Sequence, residues 1–160
     1  MKISDKIIIL LFIVLTSCTS TDSCRENTEV KMQIGFYTKT KNSTTGVYSK
    51  SSLNIDSIWA NGLGVDSFYY KKKLSTKSIN LPLKNKAEQT DYIIRFNNTT
   101  DTISVFYQNN DGYYLSLECG CVVAHTIDEV VTTGHFIDSL AIINREINNV
   151  NAENIQIYHF

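Results

Sequence analysis

Val30, Met32, Ile34 and Phe36 alternate with Glu29, Lys31, Gln33 and Tyr37. Successive side chains of an extended chain point to opposite faces, so this stretch predicts a strand with one buried face. Comparable runs follow at Leu53 to Trp59, Ser78 to Leu83, Tyr92 to Phe96, Ile103 to Tyr107, Tyr113 to Val123, Ile137 to Ile147 and Ile155 to Phe160. Between them lie turn-rich stretches at 41–46, 61–64, 97–101, 109–112 and 148–149, built from residues that accept left-handed or capping conformations. About seven or eight short strands at this spacing predict an all-β domain, an antiparallel β-sandwich of immunoglobulin-like or transthyretin-like form. Two points qualify the pattern. Leu140, Ile143, Ile147 and Val150 also fit a helical stripe, which leaves 140–150 open between strand and helix. Pro82 has no N–H to give to a ladder and marks an edge strand or a strand end.

The N-terminus follows a different pattern. Lys2 and Lys6 precede the unbroken apolar run Ile7 to Leu15, which is too short to cross a bilayer comfortably and is followed by small polar residues. This is the core of a signal peptide. It ends in Leu15-Thr16-Ser17-Cys18, which resembles the lipobox of bacterial lipoproteins, a Leu three residues before the cysteine that receives lipid. The resemblance implies cleavage after residue 17, diacylation of Cys18 and attachment to a membrane, since two or three acyl chains anchor stably where one does not. The expected organisation is therefore a signal peptide at 1–17, a lipidated tether at 18–27 and the sandwich at 28–160. The expected location is the cell envelope, at the outer membrane.

A length of 160 residues fits one ordinary domain, and a net charge of −1 supplies no broad attraction for nucleic acid, which is excluded as a partner. Lipidation of Cys18 leaves Cys24, Cys119 and Cys121 in a compartment that permits disulfides, and an odd count leaves one thiol over. In a continuous strand from Tyr113 to Val123, Cys119 and Cys121 share the face of Leu115 and Leu117. Two cysteines so spaced have poor geometry for pairing with each other. The bridge expected is from Cys24 to one of them, and it closes a long loop worth roughly 3 to 5 kcal/mol.

Several short features are similar to those of a bacterial lipoprotein family of Bacteroidota, domain of unknown function 6452. They are Cys24 shortly after the lipid cysteine, Leu81-Pro82-Leu83 followed by Thr90 and an aromatic-aliphatic strand, Cys119-Gly120, and Ile155-Gln156-Ile157-Tyr158. The resemblance implies an envelope compartment, a β domain and Cys119 as the partner of Cys24. It implies no activity and no catalytic residue. This chain departs from the family pattern at Cys121, where an aromatic residue is more usual.

Candidate chemistry is sparse. Cys119, Cys121 and His125 offer soft ligands at close spacing, but metal-binding cysteine pairs usually have two residues between them on a tight turn, where this pair has one, and an oxidising compartment favours the disulfide. No metal and no cofactor are expected. His125, His135 and His159 read as surface or hydrogen-bonded residues rather than catalytic bases. No Gly-x-Ser-x-Gly or Ser-x-x-Lys motif is present, and Gly62-x-Gly64 lacks the helix and lysine of a phosphate loop. Asp128 and Glu129 are adjacent, which suits a solvated turn better than acid–base partnership.

The stretch Phe68-Tyr69-Tyr70-Lys71-Lys72-Lys73 reads either as an amphipathic strand entering a solvated loop or as a patch for glycan or membrane. Asp56-Ser57-Ile58, Asp101-Thr102-Ile103 and Asp138-Ser139-Leu140 are similar to the acceptor tripeptides of the general O-glycosylation system of Bacteroidota, which makes Ser57, Thr102 and Ser139 candidate acceptors. The functional expectation is a non-catalytic binding or structural component of the envelope, with a glycan or envelope protein as partner. The alternative is an envelope enzyme or assembly accessory whose active site follows no known motif.

Overall fold

The computed structural model describes residues 24–110 and 112–160, so the signal-peptide segment 1–17 and Cys18 lie outside the described residues. Within them, five strands build one sheet: β1 (Met32–Lys41), β2 (Tyr48–Ser52), β5 (Ser78–Leu81), β11 (Ser139–Ile142) and β13 (Glu153–Tyr158). Six build a second: β3 (Ile55–Gly62), β4 (Phe68–Thr76), β6 (Gln89–Phe96), β7 (Thr99–Asn109), β10 (His125–Thr132) and β12 (Glu146–Ile147). The pair β8 (Tyr113–Ser116) and β9 (Gly120–Val122) forms a separate hairpin. The first sheet runs β11-β13-β1-β2, with β5 sharing the outer edge of β1: residues 32–35 pair with β5 and residues 37–41 with β2. The second runs β12-β10-β7-β6-β3-β4. The sheets are antiparallel and curl into a half-barrel, and β1 and β13 are the one parallel pair among the described strands.

The expected all-β sandwich-like class holds, and the alternation explains why. Met32, Ile34 and Phe36 of β1 are buried, as are Tyr92, Ile94 and Phe96 of β6 and Ile103, Val105 and Tyr107 of β7. These faces meet in one core, where Phe36 and Phe96 touch edge to face with centroids 5.7 Å apart. Each such side chain contributes about 1.5 to 3 kcal/mol by leaving water.

The strands are more numerous than the pattern predicts, for identifiable reasons. β2 is exposed along its whole length and is held by backbone pairing to β1, so it carries no buried-face signal. β10 contains a bulge at Asp128, which puts the buried Ile127 and Val130 three residues apart and breaks the period of two. Arg145 secures this bulge, its Nη1 donating to the carbonyls of Ile127 and Asp128, each at 2.7 Å. The run Ile137 to Ile147 divides into β11 and β12, and 140–150 contains no helix.

One expectation needs correction. Tyr113 to Val123 is a hairpin, not a continuous strand. Ser116 Oγ accepts the Cys119 N–H at 3.1 Å and Gly120 turns the chain at φ 70°. Cys119 and Cys121 therefore do not share a face with Leu115 and Leu117, and Leu117 is 89 % exposed at the tip.

Pro82 follows directly on β5, where the chain crosses from the first sheet to the second. Two buried phenols hold this crossover. Tyr92 donates to the Pro82 carbonyl, and burial, with Tyr69 and Tyr107 nearby, pushes its pKa well above the usual phenol range. The Tyr107 hydroxyl accepts the Lys84 N–H at 3.0 Å, donates to the Lys84 carbonyl at 2.9 Å and lies 2.7 Å from Thr90 Oγ1. Tyr107→Phe leaves the Lys84 carbonyl without its donor and the Lys84 N–H and Thr90 Oγ1 with only their 3.4 Å contact to each other, and should destabilise the domain by about 1 to 3 kcal/mol. Urea unfolding measures this, and an unchanged midpoint would show that the phenol does not anchor the crossover.

Candidate functional site

At the N-terminal end, Cys24 and Cys119 are joined by a disulfide with Cα atoms 4.7 Å apart, which fastens the chain's entry to the tip of the β8–β9 hairpin. Cys121 is free and exposed, the thiol left over from the odd count. Asn27 and Asn149 reinforce the attachment reciprocally. Asn27 Nδ2 donates to the Asn149 carbonyl at 2.6 Å and Asn149 Nδ2 donates to the Asn27 carbonyl at 3.0 Å, while the Tyr113 hydroxyl donates to Asn149 Oδ1. Residues 24–27 are thus bound to the domain.

The histidines are placed apart. His125 is buried, its Nδ1 2.8 Å from Asn109 Oδ1 and its ring edge-on to Tyr107, and burial lowers its pKa. With Cys119 committed to the bridge, the sulfur and imidazole of the candidate metal set have other partners. Among the described residues no cluster of three His, Cys, Asp or Glu side chains is arranged to hold a metal. His159 stacks on Phe136 at 4.0 Å, and Phe136 in turn stacks on Phe96 at 4.6 Å.

His135 belongs to a knot around Asp101, a fully buried carboxylate at the start of β7. Asp101 accepts the backbone N–H groups of His135, Phe136 and Ile137 at 2.6, 2.8 and 3.0 Å and the Thr133 hydroxyl at 2.7 Å, and it lies 3.2 Å from His135 Nδ1. Burial alone would raise its pKa, but these donors outweigh burial and hold it below the ordinary carboxylate value. The knot is structural. It also bears on the acceptor tripeptides, because Asp101 beside Thr102 is sealed inside the fold, whereas Asp56 beside Ser57 and Asp138 beside Ser139 are exposed. All three candidate acceptor hydroxyls are half-buried in strands.

The outer face of the second sheet holds the most chemically distinctive arrangement. Trp59 follows Ile58 and precedes Ala60, both fully buried, so it points outward; Arg95 has the same position between Ile94 and Phe96. The β3–β6 register sets them opposite each other, and the Arg95 guanidinium lies over the Trp59 ring at 3.8 Å. Thr100 is the next cross-strand neighbour of Arg95. β4 forms a wall beside this row. Its pairing to β3 is irregular between Ile58 and Asn61, and Lys72 takes a left-handed φ of 55°. Two extra residues on β4 re-aim the strand, so that Phe68 and Lys71 both line one cleft of about 300 Å³ with Trp59, Asn61, Arg95 and Thr100. The stretch Phe68 to Lys73 is therefore strand throughout, continuing to Thr76, and not a solvated loop. Tyr70 turns the other way, its hydroxyl donating to the Asn80 carbonyl at 3.1 Å.

The cleft presents two cations, two aromatic rings and two neutral polar groups. Among the described residues neither Arg95 nor Lys71 has a carboxylate within ion-pairing distance. Two cations beside two aromatic rings suit recognition of an anion next to an apolar surface. The sequence pattern points to Phe68 and Lys71 but misses Trp59 and Arg95. They are 36 residues apart, and the signal that could have found them is the outward phase of each within an alternating strand.

These features define an all-β domain stapled at its entry by one disulfide. The chain belongs to a family of unknown function, DUF6452, whose model matches residues 56–159. The match takes in β3 to β13, including the crossover at Leu81-Pro82-Leu83, the Asp101 knot and Cys119, and leaves out β1, β2 and Cys24. No curated protein and no solved structure matches the chain.

Proposed function

We propose that this protein is an exported lipoprotein, anchored to the outer membrane through diacylated Cys18, whose β domain is a non-catalytic binding component of the cell envelope. The observation that carries the reading is the Cys24–Cys119 bridge lying six residues beyond the lipobox-like Cys18. A structural disulfide calls for an oxidising compartment, and the signal-peptide pattern supplies the route to one. With lipid on Cys18 and Cys24 fastened to the hairpin, the free tether spans at most about 20 Å, which keeps the β8–β9 end close to the membrane. The two cations and two aromatic rings that line the cleft support a binding role. Ser57 and Ser139, each after an exposed Asp, are the acceptors best placed for O-glycosylation, whereas the Asp beside Thr102 is buried.

Cys18→Ser tests the anchor. Metabolic labelling with an alkyne fatty acid should mark the wild-type chain and not the variant, and the variant should leave the membrane fraction. Equal label on both would remove the lipid anchor from this reading.

A further inference from the structure

We propose that the cleft on the outer face of the second sheet binds an acidic saccharide, with a uronate carboxylate on Arg95 and Lys71 and the apolar face of a sugar ring on Phe68. The inference rests on the reading of the domain as a binding component, and it is independent of the lipid anchor.

Arg95 supplies the first cation of the cleft. A flexible exposed arginine loses rotamer freedom when it grips a ligand, but a guanidinium already resting on an indole at 3.8 Å has lost much of that freedom beforehand. Its N–H groups remain available, since no acceptor among the described residues engages them. Arg145 shows the contrasting case, with Nη1 committed to two carbonyls. A planar fork of donors matches a carboxylate in two-point fashion, which a lysine alone cannot do. Lys71 is the second cation, brought to the cleft by the irregularity in β4.

The remaining lining separates a sugar acid from a simple anion. Phe68 is 48 % exposed, unusual for a phenylalanine in a strand, and it faces the cleft rather than the core. An aromatic face beside polar groups suits the C–H face of a pyranose. Thr100 offers a hydroxyl that donates or accepts. Asn61 Nδ2 is spent on the carbonyls of Gly62 and Val65, which leaves its Oδ1 to accept from a sugar hydroxyl. A volume of about 300 Å³ sits at the small end of ligand sites and fits one or two sugar residues, with the rest of a chain lying along the open sheet face.

Trp59 is the single tryptophan of the chain, so its emission reports on this cleft alone. The full chain in detergent is titrated with an oligogalacturonate, with the same oligosaccharide fully methyl-esterified, and with inorganic phosphate. The acid form should change Trp59 emission saturably, and the neutral ester should bind about tenfold more weakly, the order expected for loss of a charge-assisted two-point contact. Arg95→Gln should weaken the acid form about tenfold and Lys71→Gln a few-fold, with salt reducing the wild-type affinity. Lys73→Gln, whose ammonium lies over Tyr70 at 4.9 Å outside the cleft, should bind like wild type. Arg95 and Lys71 are exposed, and circular dichroism of each variant checks that the fold is kept.

No saturable emission change, equal binding of acid and ester, displacement by phosphate at equal concentration, or unchanged affinity in both Arg95→Gln and Lys71→Gln would each overturn the assignment. If labelling of Cys18 fails while the oligogalacturonate binds, the anchor falls and the cleft stands. The converse result removes the cleft alone.

Discussion

Asp101→Ala should destabilise the domain by about 3 kcal/mol at neutral pH, because it strips the buried acceptor from three backbone N–H groups and one hydroxyl. The effect should reach further than the knot. Asp101 fixes residues 133–137, and these place Phe136 between the rings of Phe96 in β6 and His159, just past the end of β13. His159 is in turn tied to the Tyr37 carbonyl of β1 through its N–H at 3.0 Å. One carboxylate in the second sheet thus holds a ring stack that reaches the first.

The pH dependence follows from the direction of the shift. Asp101 has a lower pKa folded than unfolded, so the unfolded chain takes up the proton first as acid is added. Its contribution is complete above the unfolded value of about 4 and is lost as pH falls through the folded value. Urea unfolding of wild type and Asp101→Ala should therefore show a gap at pH 7 that narrows at pH 3. A gap of the same size at both values would mean that the charge of Asp101 is not what holds the loop.

What could be read from the sequence depended on where each residue finds its partners. β1, β6 and β7 alternate buried and less buried side chains over most of their length, so their period of two is visible in the chain itself, and with it most of the core. Pro82 marks the end of β5 for a reason local to proline. β2 was illegible because its stability comes from the ladder to β1, to which its exposed side chains add no pattern. β10 was illegible because one inserted residue, Asp128, resets the phase halfway along. The hairpin at Tyr113 to Val122 looked continuous because apolar residues occupy both arms and the tip, and the tip's Leu117 faces solvent.

The sites divide in the same way. Phe68 and Lys71 stand out as a local aromatic-basic run, but the reason they share a cleft is a bulge, and the reason the cleft has a cation fixed on a ring is the β3–β6 register. Asp101 was visible only as the first residue of an acceptor tripeptide. Its donors lie more than thirty residues onward, and no local rule joins them.

Loss of the Cys24–Cys119 bridge should have the largest effect of any single change outside the core. The two residues are 95 apart in sequence, and a closed loop of that length restricts the unfolded chain by about 4 to 5 kcal/mol in the chain-entropy model, against a total stability of about 5 to 15 kcal/mol. The folded side of the balance changes little. Cys24 is exposed, and the Asn27–Asn149 pair still holds the entry segment when the sulfurs part. Stability should therefore fall through the unfolded state, which becomes more expanded, and the urea m-value should rise together with the drop in midpoint. Cys119→Ala leaves Cys121 two residues away as a substitute partner for Cys24, which would mask the loss, so the comparison belongs in a Cys121→Ser background. There Cys24→Ala and Cys119→Ala should be equally destabilised and the double variant scarcely worse, because either change alone removes the same cross-link. Cys121→Ser itself should cost little, its side chain being exposed and unbridged. A peptide map under non-reducing conditions that joins Cys24 to Cys121, or a double variant that loses the sum of the two single effects, would show that the bridge does not act as the chain's entry staple.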